Sequence, residues 1–277
     1  MVSDDSFNMI SLFGVDIDQW SGRHEIEQAL KVLSEDEIER GSRYQFEHLK
    51  ERFLWGRFFL RQVLGQLTEI GASEIRFEIG TNGKPSLKNV LSTQSNFSFS
   101  RSGHFAVCCF TTGAGVGIDV ESLTEVEDLP TMARAIFSDD RYAQWDRLPE
   151  AKKQIAFHRS WTRKEAVAKI DGRGVSVDIT GVDVPFECFG QSKSNHIQLS
   201  QAVAGQVQLP PISAVVSDWC PFDEVTASVA FEADLPNGYE VEFHDRVDDN
   251  NSNFLDVNLP IVSVQRQFSL VQKPDFD

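Results

Sequence analysis

The chain has 277 residues, of which 41% are hydrophobic, 21 are Phe and 25% are charged, enough apolar material for one large domain or two packed subdomains. This composition excludes a disulfide-stapled miniprotein, a collagen-like repeat and a disordered chain. With 26 Lys and Arg against 42 Asp and Glu, a formal charge of −16, the surface repels long polyanions, so nucleic acid is not an expected partner.

From Leu33 to Leu64 the pattern is helical: Ser34 can cap, Glu35, Asp36 and Glu37 fill a first turn, and Phe53, Leu54, Phe58, Leu60, Val63 and Leu64 recur at helical intervals. Ile75 to Ile79 alternates as a strand and runs into Asn82-Gly83, a tight-turn pair that puts Lys84 on a loop. Three strand patterns follow, 96–101, 105–111 and 116–121, read together as an antiparallel meander. A helical region spans roughly Pro130 to Ile170, with breaks near Ser138 and Pro149. Strand patterns resume at 175–184, 197–207, 212–216 and 226–231. Helices followed by strands, twice, predict an α+β fold of two similar halves, residues 1–113 and 114–234. The acidic segment 235–277 is expected to be a peripheral tail, with Phe254, Leu255, Leu259, Ile261 and Val262 available to dock it.

Cys108, Cys109, Cys188 and Cys220 lack Cys-x-x-Cys spacing and read as small buried hydrophobes. The start, Met1-Val2-Ser3-Asp4-Asp5, has no basic n-region, and no run of about 18 apolar residues occurs, so a cytoplasmic protein that does not enter a membrane is expected.

Three clusters carry chemistry. In Gly117-Ile118-Asp119-Val120-Glu121, the two-residue strand period puts both carboxylates on one face, which suits a hard divalent cation or, equally, an acidic strand end in solvent. In Trp161-Thr162-Arg163-Lys164-Glu165-Ala166-Val167-Ala168-Lys169, Glu165 and Lys169 lie one helical turn apart with Lys164 adjacent, either a surface ion pair or a third metal ligand flanked by phosphate-binding lysines. Asn96 to His104 aligns Ser98, Ser100 and Ser102 opposite Phe97 and Phe99, ending beside the Arg101 guanidinium; the strand is either plainly amphipathic or suited to hold phosphate. A glycine-rich dinucleotide loop is not indicated, because Gly113 to Gly117 lacks the G-x-G-x-x-G spacing.

In order, Gly83-Lys84-Pro85, Phe97 to Gly103, Gly117-Ile118-Asp119-Val120-Glu121 and Trp161-Thr162-Arg163-Lys164-Glu165-Ala166 resemble the signature blocks of the Sfp-type 4′-phosphopantetheinyl transferases, over roughly Leu33 to Phe231. The resemblance implies two pseudo-twofold α+β subdomains, each a small antiparallel sheet packed with helices, with coenzyme A in the cleft between them. It also implies transfer of the phosphopantetheine arm to a serine of an apo acyl or peptidyl carrier protein, releasing adenosine 3′,5′-bisphosphate. Asp119, Glu121 and Glu165 map onto the family's Mg²⁺ (or Mn²⁺) ligands, and Glu165 and Lys169 onto catalytic positions. Lys164 and Lys169 fall near the phosphates, Lys84 and Pro85 beside the adenine, and Arg40 and Arg52 where cations meet the 3′-phosphate. Ser100 and Arg101 take the place of a Ser-His pair, so binding of coenzyme A is expected to persist with less pH sensitivity. Arg141 stands where relatives commonly carry Glu, leaving Asp139 or Asp140 as substitutes. Two halves in one chain make a monomer the expectation, and a non-catalytic relative that binds coenzyme A or a carrier domain is the alternative.

Overall fold

The computed structural model describes residues 9–21, 26–80, 83–88, 95–170, 172, 179–186, 195–199, 203–204, 207–208, 212–219, 221–232, 239–247 and 261–272. In chain order they form β1 (Met9–Asp16), α1 (Ile17–Ser21), α2 (Ile26–Leu30), α3 (Glu35–Ser42), α4 (Glu47–Thr68), β2 (Phe77–Ile79), β3 (Pro85–Leu87), β4 (Ser95–Ser102), β5 (Phe105–Thr112), β6 (Val116–Ser122), α5 (Leu129–Ile136), α6 (Asp139–Asp146), α7 (Glu150–Ala168), a 3-10 turn at Ile179–Gly181, β7 (Asn195–Leu199), β8 (Val203–Ala204), β9 (Val207–Gln208), β10 (Ile212–Asp218), β11 (Val225–Glu232), β12 (Tyr239–Val247) and β13 (Ile261–Gln272).

Two antiparallel sheets organise the α+β fold: a five-stranded sheet ordered β12-β13-β1-β5-β4 and a four-stranded sheet ordered β6-β11-β10-β7. Strand alternation assigns each face. On β1 and β5, Ile10, Leu12, Phe105, Val107 and Cys109 turn toward Val116, Ile118, Val120, Val215, Val229 and Phe231 of the second sheet and form one shared core. Their other faces carry Phe13, Val15, Ala106, Cys108 and Phe110 against Phe53, Leu54, Phe58, Phe59 and Leu60 of α4. Beyond the second sheet, Ala214, Val216 and Ala230 pack against Ala166, Val167 and Ile170 at the end of α7. Removing these faces from water is the main driving term for the layering.

The expected single helix at 33–64 is two helices, because the chain reverses at Arg43–Phe46 and α3 folds back on α4. The reversal brings Glu37 to the Arg57 and Arg61 guanidiniums, each at 2.7 Å, while Glu37 also accepts from the Ser34 N–H at 3.0 Å as a capping box. The breaks foreseen near Ser138 and Pro149 are the N-caps of α6 and α7.

Three further expectations change. The third strand of the supposed meander crosses to the other sheet: β5 pairs with β4 and β1, while β6 pairs with β11. Residues 179–181, read as strand, form the 3-10 turn. The segment from 235 onward, read as a peripheral tail, supplies β12 and β13, and β13 pairs with β1 in register Ile261↔Val15 to Gln267↔Met9. An N-terminal strand buried on both faces leaves its open edge to be satisfied, and β13 supplies that pairing. Of the docking residues foreseen, Ile261 and Val262 lie in β13, whereas Phe254, Leu255 and Leu259 lie outside the described residues. Cys108 and Cys109 are buried free thiols, and Cys188 and Cys220 lie outside the described residues. No helix among the described residues is long and apolar enough to cross a membrane.

Candidate active site

The two sheets meet along β4 and β6, which share no ladder and are joined by the alternating serines of β4. Ser98 accepts from the Ile118 N–H at 3.2 Å. Ser100 donates to Asp119 Oδ1 at 2.7 Å, and Ser102 donates to Glu121 Oε2 at 2.9 Å while accepting from the Ser122 N–H at 3.0 Å. The hydroxyl face read as a phosphate surface is thus engaged in fixing the two carboxylates of β6.

Helix α7 closes the site from the other side. Trp161 Nε1 donates to Glu121 Oε1 at 3.0 Å, so both oxygens of Glu121 are held by donors on different elements. Lys169, just past the end of α7, donates to Asp119 Oδ1 at 2.6 Å and to Ser100 Oγ at 3.0 Å. Close approach of helix and strand depends on Gly117, where a Cβ would stand 2.0 Å from the Ala166 carbonyl oxygen. Asp119 Oδ2 and Glu165 Oε1 are buried without a hydrogen-bond partner.

The electrostatics follow from this crowding. Burial raises the Asp119 carboxyl above its usual range, opposed by the Lys169 ammonium and the Ser100 hydroxyl. Burial and the Asp119 charge raise Glu121, opposed by Ser102 and Trp161. Burial raises Glu165 too; Lys169 opposes the shift, while Asp119 and Glu121 reinforce it. Among the described residues no three acidic, His or Cys side chains converge as a ready-made metal centre, and Asp119 is held by Lys169 instead. Three hard carboxylates with two orphaned buried oxygens are nevertheless a donor set that suits a divalent cation.

Beside Lys169 lies a cavity of about 240 Å³ lined by Gly83, Lys84, Pro85, Phe97, Ser98, Phe99 and Gly172. A second cavity of about 380 Å³ shares Gly83 and Pro85 and is walled by Arg40, Arg57, Arg61 and Arg76 together with Asp36, Glu37, Phe53 and Phe77. Gly83 and Pro85 therefore lie where both cavities meet, and Lys84 lines the first. The Lys84 ammonium itself donates to the carbonyls of Val116 at 2.8 Å and Ile170 at 2.6 Å, clasping the β2–β3 hairpin to the second sheet and to the end of α7. That clasp is not visible in sequence, because its acceptors are backbone groups 32 and 86 residues away.

Other expected residues fall elsewhere. Lys164 is 1% exposed and donates to the Val182 carbonyl, so the structure does not bring it to the cavities. The reason is helical: neighbours on α7 project about 100° apart, so Glu165 and Lys164 face different sides, whereas Glu165 and Lys169 nearly share one. Arg52 is taken up by a two-pronged ion pair with Asp18 that raises the guanidinium and lowers the carboxyl, and it lines neither cavity. Arg101 and Arg40 lie on the Phe53 ring, each 5.6 Å from its centroid, and Arg101 also donates to the Tyr44 hydroxyl at 3.3 Å. Arg141 binds Asp183 and Gln144, tying α6 to the 182–186 segment, and Asp139 and Asp140 are exposed on the first turn of α6. Trp161 is the residue the sequence reading left without a role, although it opens the motif block that holds Glu165.

Comparison with known proteins agrees with this arrangement. Residues 115–211 match the 4′-phosphopantetheinyl transferase superfamily, and residues 18–112 match the family described as 4′-phosphopantetheinyl transferase, N-terminal. The 4′-phosphopantetheinyl transferase HetI of Nostoc sp. is 31% identical over 168 residues, 60% of this chain and 70% of HetI. Sfp of Bacillus subtilis is 24% identical over 182 residues, covering 66% and 79% of the two chains, and AcpT of Escherichia coli is 29% identical over 180 residues, covering 65% and 81%. Signature blocks, serine-pinned carboxylates and matched relatives thus converge: the chain belongs to the 4′-phosphopantetheinyl transferase superfamily and is an enzyme of that class.

Proposed function

We propose that the protein transfers the 4′-phosphopantetheine arm of coenzyme A to a serine hydroxyl of an apo acyl or peptidyl carrier protein and releases adenosine 3′,5′-bisphosphate. The observation that carries this reading is the set of Asp119, Glu121 and Glu165, supplied by β6 and α7, with Lys169 beside a cavity bordered by the Gly83-Lys84-Pro85 loop. We read the two cavities as one coenzyme A cleft between residues 1–113 and 114–234. The adenine lies against Lys84 and Pro85, and the 3′-phosphate lies toward Arg40 and Arg101.

Asp119, Glu121 and Glu165 would hold a Mg²⁺ or Mn²⁺ ion, which when bound supplies positive charge to pyrophosphate oxygens. Everything else falls to the chain itself. Ser100, Ser102 and Trp161 fix the carboxylates of Asp119 and Glu121 before substrate arrives, which lowers the reorganisation cost of reaction. The ammonium of Lys169 is placed to meet an anionic oxygen in the cavity it lines. The Glu165 carboxylate, partly desolvated and raised in pKa, takes the proton of the carrier serine, directly or through water. The serine Oγ–phosphorus bond forms as the pyrophosphate phosphorus–oxygen bond breaks, and the nucleotide leaves with the electron pair. Positioning and charge stabilisation supply most of the rate in such a transfer. With a charge of −16, the chain docks an acidic carrier through local apolar or basic surface rather than overall attraction. The test is incubation with coenzyme A, Mg²⁺ and an apo carrier domain, followed by weighing of the carrier: one added phosphopantetheine is expected, and an unmodified carrier across a panel of acyl and peptidyl domains would refute the proposal.

A further inference from the structure

Asp119 carries two oxygens in contrasting situations. Oδ1 receives both the Lys169 ammonium at 2.6 Å and the Ser100 hydroxyl at 2.7 Å, whereas Oδ2, on a residue 3% exposed, receives nothing. Lys169 is the cation that compensates Asp119 here, and its side chain, 27% exposed, follows the last turn of α7 and also lines the 240 Å³ cavity. A lysine side chain is a flexible four-carbon stem carrying a compact charge with three donors, able to reach more than one acceptor from a fixed backbone.

We infer that Lys169 is an internal counter-ion of the carboxylate site, which a divalent cation displaces from Asp119, so that metal occupancy releases the ammonium to the anionic substrate in the adjoining cavity. The inference rests on the metal reading given above, and adds an order of events to it. Without metal, the ammonium neutralises Asp119 and leaves the buried site less repulsive. With metal, two neighbouring positive charges repel, and the ammonium moves toward the cavity side of its range. A phosphate oxygen there then accepts from a donor that was held close throughout. The consequence runs opposite to ordinary damage: deleting Lys169 removes a competitor for Asp119 and strengthens metal binding, while it weakens the advantage that metal gives to coenzyme A binding. By reciprocity, coenzyme A then strengthens metal binding by the same reduced factor.

The experiment is calorimetric titration of the purified full chain with Mn²⁺ alone, comparing the native protein with Lys169→Met and Lys169→Gln at constant ionic strength. Both variants are expected to bind Mn²⁺ about tenfold more tightly than native, from loss of one competing unit charge at contact distance. Equal or weaker binding by both folded variants, checked by circular dichroism, would overturn the inference. Asp119→Asn separates this from failure of the metal reading. Native binding that vanishes in Asp119→Asn establishes the site on which Lys169 acts, whereas native binding unaffected by Asp119→Asn removes the metal reading and the inference with it. In a second cycle, the factor by which Mn²⁺ strengthens coenzyme A binding is expected to be several-fold smaller in Lys169→Met than in native, and an unchanged factor would count against release of the ammonium.

Discussion

Gly117→Ala is predicted to separate the two elements that carry the acidic residues. A Cβ at position 117 would lie 2.0 Å from the Ala166 carbonyl oxygen and 3.0 Å from both Ile170 N and Lys169 Cβ, whereas a real Cβ essentially never comes within 3.0 Å of another heavy atom. Strand β6 and helix α7 must therefore part by about 1 Å, because backbone in a close-packed interior cannot yield as a side-chain tip can. Asp119 and Glu121 move with the strand, and Glu165, the neighbour of Ala166, moves with the helix. Overpacking of this kind costs about 1–3 kcal/mol of stability, and a misplacement of about 1 Å in catalytic geometry can cost about 100-fold in rate. The assays are the rate of carrier modification followed by mass spectrometry and the urea midpoint followed by tryptophan fluorescence. A variant that modifies the carrier within twofold of the native rate, with an unchanged midpoint, would refute the claim that this glycine sets the spacing of the site.

Further perturbations address other parts of the account. Lys84→Met removes two charge-assisted hydrogen bonds to the Val116 and Ile170 carbonyls and should cost about 2–3 kcal/mol in urea unfolding, with KM for coenzyme A raised and much of both effects rescued by Lys84→Arg. An unchanged urea midpoint together with an unchanged KM in Lys84→Met would show that the clasp does not shape the cavity. Glu165 is raised in pKa by burial, so the folded protein binds more protons than the unfolded chain, and stability without metal falls as pH rises above the ordinary Glu range. Glu165→Gln should accordingly melt higher than native at pH 7 without metal and lose that advantage near pH 4; equal melting at both pH values would contradict the assignment. Arg101→His should make coenzyme A affinity fall between pH 6 and 8, where the native curve stays flat, and identical curves would remove Arg101 from the binding site.

The parts of the fold and site that local periodicity encodes were legible in the sequence. The two-residue strand period placed Asp119 and Glu121 on one face, and the same period aligned Ser98, Ser100 and Ser102 along β4. The breaks near Ser138 and Pro149 were legible because a serine cap and a proline act on the backbone locally. Strand β1 escaped because Ile10, Leu12, Phe13 and Val15 are buried on both faces, which erases alternation, and β13 escaped because its pairing with β1 spans nearly the whole chain, with β12 pairing in turn onto β13. Within the site, sequence adjacency misled for Lys164, since successive helical residues diverge by about 100°. The Trp161–Glu121 and Lys84–Val116 bonds depend on packing between distant segments, and no spacing rule encodes them.

The most direct test of the central claim is the mass of an apo carrier domain after incubation with coenzyme A and Mg²⁺, using native protein, Asp119→Ala and Glu165→Ala side by side. The account predicts one phosphopantetheine added to the carrier serine by native protein and at most a trace by either variant. Modification at the native rate by Asp119→Ala or Glu165→Ala would contradict it.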